Sequence, residues 1–105
     1  MPDRPHIGGL EPTPEPSPAM RRELRSRAQR LKARLTVGRK GLTGPFLEEV
    51  RGELGRHELV KVRLDVDEAD QADELAGALA EAVPCHLIQR IGRVALLYRP
   101  DGQEP

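Results

Sequence analysis

The sequence predicts a two-layer α/β sandwich with elements in the order α-β-α-β-α-β-β and a four-stranded mixed sheet. Three observations carry this. Apolar residues recur at helical spacing in three separate segments, residues 58–66 alternate strictly, and residues 85–91 and 94–99 are β-prone runs joined at Gly92-Arg93. Strands separated by helices call for right-handed crossovers, and the last pair for a hairpin. Six of the ten prolines lie within residues 1–18, so the 105 residues divide into a disordered Pro-rich tail (1–18), a domain (19–100) and a flexible C-terminus (101–105). A domain of roughly 80 residues buries about two thirds of its surface, enough for one core.

The first helix is expected over 19–34, where Met20, Leu24, Ala28, Leu31 and Leu35 form an apolar stripe. Arg21, Arg25 and Lys32 flank that stripe on one side, and Arg27, Arg30 and Arg34 on the other. Leu35-Thr36-Val37 is a short strand stopped by Gly38. A second helix is expected over 45–56, with Thr43 or Gly44 as N-cap and Pro45 in the first turn. Phe46, Leu47, Val50 and Leu54 are its buried stripe. In the next strand Val60, Val62, Leu64 and Val66 face the core, while Lys61, Arg63 and Asp65 face away. Asp67 or Asp70 is expected to cap a third helix, in which Ala72, Leu75, Ala76, Leu79 and Val83 are apolar and which ends before Pro84.

A neutral total charge conceals three blocks. Residues 1–18 carry a net −2, residues 19–63 a net +8, and residues 64–105 a net −6. From Arg21 to Lys40 there are nine basic residues and one acid, Glu23. Such a block reads as a face for a polyanion, because charges beyond about 10 Å are largely screened. No run approaches the roughly 18 apolar residues of a membrane span, and the N-terminal stretch fits neither a secretory signal nor a mitochondrial presequence. Cys85, the single cysteine, excludes an internal disulfide or a cysteine-based zinc cluster. A cytoplasmic protein without cofactor or metal is the expectation.

The segment that points to chemistry is Gly38-Arg39-Lys40-Gly41, between a strand and a helix start. Glycines permit positive φ and close approach of a ligand, and a helix N-terminus offers amides and a positive dipole end to phosphate. The run lacks the Lys-Ser/Thr pair of a P-loop, and it reads G-x-x-G-x-x-G where a dinucleotide fingerprint needs G-x-G-x-x-G. A KH domain also clamps nucleic acid with a GxxG loop, but there the loop joins two helices.

Leu31-Lys32, Val37-Gly38-Arg39-Lys40-Gly41-Leu42-Thr43, His57-Glu58-Leu59-Val60-Lys61-Val62 and the closing Gln89-Arg90-Ile91-Gly92-Arg93 with Leu97-Tyr98-Arg99 together resemble the YhbY-type RNA-binding proteins. These are bacterial single-domain members of the CRM (chloroplast RNA splicing and ribosome maturation) family. The resemblance spans about residues 20–99. It implies a fold similar to the C-terminal domain of translation initiation factor three. It also implies RNA binding through the GxxG loop and adjacent basic surface, and association with ribosomal RNA in precursors of the large ribosomal subunit. The residues expected to carry this are Gly38, Arg39, Lys40, Gly41, Leu42 and Thr43 of the loop, Arg21, Arg22, Arg25 and Lys32 of the first helix, and Lys61 and Arg63 of the following strand. Gln29 and Ala33 stand where the family often has His and Pro, Lys40 where a small or polar residue is more usual, and the Pro-rich tail is an extension.

Other residues read as structural. Cys85 is expected to be a small buried hydrophobe, with His86 pointing to the opposite face, so that no Cys-His dyad forms. His57 suits a helix C-terminus. Asp65, Asp67, Glu68 and Asp70 lack the spacing of a calcium loop. Tyr98 is expected in the core. No catalytic set stands out, and a monomeric, non-enzymatic RNA binder is expected. The competing reading is a protein-interaction module that docks its basic face on an acidic partner, with the Pro-rich tail in a polyproline-reading groove.

Overall fold

Residues 59–64 organise the molecule, since their alternation puts Val60, Val62 and Leu64 on one buried face and Leu59, Lys61 and Arg63 on the other. The computed structural model describes residues 15–100. Residues 1–14 of the Pro-rich tail and the C-terminal 101–105 lie outside the described residues. The elements are α1 (Pro18–Ala28), β1 (Ala33–Val37), α2 (Gly44–Arg56), β2 (Leu59–Leu64), α3 (Ala69–Ala82), β3 (His86–Ile91) and β4 (Val94–Tyr98). The sheet order is β1-β2-β4-β3; β1 and β2 are parallel, and β4 runs antiparallel to both of its neighbours. The element order and the four-stranded mixed sheet are those expected.

The layering goes further than two layers. Val60, Val62 and Leu64 of β2, with Val37, Ala95 and Leu97, pack under Val50 and Leu54 of α2 and Ala72, Ala76 and Leu79 of α3. Leu59, Ile88, Leu96 and Tyr98 form a second cluster on the opposite face, covered by Leu24 and Ala28 of α1 and by Leu31. Topology accounts for the split. Both crossovers, β1-α2-β2 and β2-α3-β3, step across the sheet in one direction, so right-handedness puts both helices on one face. α1 precedes the first strand, is bound by no crossover, and covers the face left bare.

α1 is shorter than expected. The amides of Gln29, Arg30 and Leu31 bond back three residues, to Ser26, Arg27 and Ala28, tightening the chain out of the helix. Ala33 is already in the sheet, in register with Lys61. Of the predicted stripe only Leu24 and Ala28 are buried by α1; Met20 is 38% exposed, Leu31 lies in the connection, and Leu35 packs on the other face from β1. Parallel pairing with β2 outweighed a helical period that ran past the true helix end.

The caps follow simple chemistry. Ser17 Oγ accepts from the Met20 amide at 3.1 Å, with Pro18 in the first turn. α3 is capped at Glu68 rather than at Asp67 or Asp70: Gln71 Oε1 reaches back to the amides of Asp67 and Glu68, at 3.2 and 3.0 Å. Gly92, at φ +59°, makes the hairpin turn. Next to it Arg93 donates to the carbonyls of Val66 (2.9 Å) and Asp67, tying the hairpin to the start of α3.

Candidate nucleic-acid interface

The Gly38–Gly41 segment is a tight turn at the junction of β1 and α2, closed by the Gly41 amide on the Gly38 carbonyl at 3.0 Å. Gly41 sits at φ +76°, a left-handed conformation that a side chain would strain. Gly38 has no such need: its φ is not positive, and a Cβ there would meet nothing within 4 Å. The fold demands one of these glycines and is indifferent to the other. Arg39 and Lys40 stand exposed at the tip.

Leu42 and Thr43 serve the fold. Leu42 packs against the main core, and Thr43 Oγ1 accepts from the Phe46 amide at 3.2 Å. The Thr43 carbonyl takes the Leu47 amide, and Pro45 has no amide hydrogen. Little of the helix N-terminus is therefore left for a ligand. What the loop presents is two cationic side chains and an unobstructed backbone at Gly38.

The other expected residues separate into two groups. Arg21 donates to the carbonyls of Leu87 and Ile88, at 3.5 and 3.3 Å, where β3 bulges, and lies 3.8 Å from Glu15. Lys61 Nζ donates to the Leu31 carbonyl at 3.0 Å. Both hold the α1 layer in place. Arg63, on the same sheet face, is exposed and in register with Thr36, two residues from Gly38. Arg22 and Lys32 are exposed and Arg25 is half-buried. Arg34, which a continuous helix puts on the flank opposite Arg21, Arg25 and Lys32 and which is absent from the expected set, extends from β1 and lies 3.8 Å from Glu53. Only its position on a strand, which the periodicity obscured, would have added it.

On the α3 side the loop borders a cleft of about 570 Å³ whose far wall carries Asp65, Asp67 and Glu74. A polyanion at the loop is repelled from that wall and favoured on the β1 and Arg63 side.

Cys85 packs on the main core; burial pushes its thiol up to about 12 against the opposing pull of Arg99. His86 instead stacks on Tyr98 across β3 and β4, ring centroids 6.4 Å apart, and Tyr98 is 7% exposed. His57 follows the last turn of α2, its Nε2 3.9 Å from Glu53. Among the described residues no helix is long and apolar enough to cross a membrane, and no group of three His, Cys, Asp or Glu could hold a metal ion.

A family model for the CRS1/YhbY (CRM) domain matches residues 17–99. A "probable RNA-binding protein" of Pseudomonas aeruginosa is 37% identical over 79 residues, covering 75% of this chain and 76% of the relative. An "RNA-binding protein" of Haemophilus influenzae is 29% identical over 80 residues, covering 76% and 81% respectively. Among solved structures, that of a Staphylococcus aureus protein put forward as an RNA binder superposes with a TM-score of 0.70 at 29% identity. It covers 81% of this chain and 88% of that one.

Proposed function

Because the chain belongs to the CRS1/YhbY (CRM) domain family, we propose that it binds RNA, chiefly through phosphate contacts at the GxxG turn and the basic surface beside it. The observation that carries this reading is the turn itself: Arg39 and Lys40 stand in solvent beside a glycine whose missing side chain the fold does not require. With Phe46 and Tyr98 as its two aromatics and Tyr98 in the core, the protein is poorly equipped to stack on bases. Backbone and shape recognition of structured RNA is the consistent mode. The relatives' names support the ligand class, and the family resemblance extends it to ribosomal RNA in precursors of the large subunit, bound by a monomer.

The test is a salt titration with an RNA hairpin. Log K is expected to fall steeply with log salt, and Arg39→Ala with Lys40→Ala to reduce that slope by about 2 while leaving the circular dichroism unchanged. A flat salt dependence in the wild type would end the electrostatic reading. Crosslinking in cells addresses the finer claim: fragments from large-subunit precursors are expected, and their absence would refute it.

A further inference from the structure

A second basic cleft, of about 540 Å³, lies at the far end of α2 from the GxxG turn and is lined by Arg27, Arg30, Arg56, His57 and Glu58. The 13 residues of α2 put roughly 20 Å between the two places. We propose that this cleft is a second phosphate-binding site for the same RNA, so that the ligand is held at two points along β1. The proposal rests on the RNA-binding reading above and specifies how that surface extends.

The charge balance favours an anion. Arg34 and Arg56 pair with Glu53 and Arg27 with Glu58, and Arg30 adds a fourth guanidinium to the lining. Glu53 is shared by two guanidinium groups, Arg56 at 2.9 Å and Arg34 at 3.8 Å, with the His57 ring 3.9 Å away. Its Oε1 is buried and accepts no hydrogen bond. One carboxylate thus holds two guanidinium groups and takes a single Arg56 donor, at 2.9 Å on Oε2, while Arg27, Arg30 and Arg56 line the cleft with donors to spare. Placement at helix ends explains Arg27 and Arg56, which sit in the last turns of α1 and α2 and complement their negative dipole ends. It does not explain Arg30, which lies beyond α1, is exposed, and forms no ion pair among the described residues. Nor does it explain Arg34, on β1.

Guanidinium forks match phosphate oxygens in pairs, which suits this cluster to phosphodiesters. Continuity strengthens the assignment. Lys32, Arg34 and Thr36 are exposed along β1, leading from the cleft toward Arg39 and Lys40. The acidic wall beside α3 lies on the other side of the turn.

The test uses the full chain and an RNA hairpin long enough to reach both sites. Arg30→Ala removes a side chain that forms no ion pair among the described residues, and is expected to lower the salt slope by about 1. Arg30→Ala with Arg56→Ala is expected to lower it by about 2, additively with the Arg39/Lys40 pair, with melting close to wild type. Wild-type slopes in both Arg30 variants, with the Arg39/Lys40 variant impaired, would overturn the second site and leave RNA binding standing. Unchanged RNA binding with loss of poly-glutamate binding would assign the cleft to an acidic protein and also overturn it. A wild-type chain that binds no RNA would remove the underlying reading itself.

Discussion

The two faces of the sheet are built to different standards. Under α2 and α3, twelve buried residues form one continuous apolar cluster; under α1 there are six, Leu24 and Ala28 being all that the helix itself buries. The α1 face makes up the difference with polar ties: Arg21 to the bulged carbonyls of β3, Lys61 to the Leu31 carbonyl, and Arg27 to Glu58 at 3.6 Å. Long cationic side chains lay their aliphatic stems over apolar surface and extend their charge to acceptors or solvent. Cohesion therefore resides on one face, and much of the basic surface rides on the thinner layer. A molecule built this way can lose order in its α1 layer before its core unfolds.

The largest expected effect separates the faces. Leu79→Ala, in the main core, should cost about 3–5 kcal/mol by denaturant unfolding, and Leu24→Ala, under α1, about 2–3 kcal/mol. Native-state hydrogen exchange should show α1 amides opening at lower free energy than those of β2, more so in the Leu24 variant. Uniform exchange across α1 and β2 would abolish the distinction.

The two loop glycines sharpen the comparison at the scale of one turn. Gly41→Val forces a β-branched residue to φ +76° and should cost about 1–2 kcal/mol. Gly38→Ala places a methyl group in open space and should change stability by less than about 0.5 kcal/mol, yet weaken RNA binding by obstructing the backbone. Wild-type affinity in the Gly38 variant would reduce the turn to a carrier of two charges.

The smallest effect concerns Cys85. Its thiol ionises near 9.0 when unfolded and at about 12 in the fold. The folded state thus keeps its proton longer, and the stability this contributes is complete below pH 9 and lost as pH rises toward 12. Cys85→Ala should flatten that alkaline decline, and a thiol reagent at neutral pH should react with the wild type only on unfolding. Fast labelling of the native protein would contradict the buried setting.

Strict alternation made β2 legible, and the helix stripes of α2 and α3 were long enough to place Val50, Leu54, Ala76 and Leu79 correctly. The end of α1 was not legible, because Leu31 and Leu35 continue a helical period by coincidence while bonding and packing as connection and strand. Exposed charge is equally ambiguous in sequence. Arg39 and Arg63 are exposed, but whether Arg21 and Lys61 point at solvent or at a carbonyl depends on the β3 bulge and the 29–32 connection, which only the tertiary fold creates. The Glu68 cap depends likewise on Gln71 reaching back, a choice that several nearby acids could have taken.

The sheet order has a consequence for synthesis. β4, made last among the described strands, occupies an interior position between β2 and β3, and β2 gains its second neighbour only when residues 94–98 arrive. At about 5–20 residues per second, the nascent chain waits seconds with β2 paired on one edge only. A ribosome that stalls or a message that ends before Val94 yields a chain that cannot close its sheet, and such a product should be found with chaperones or proteases rather than with RNA.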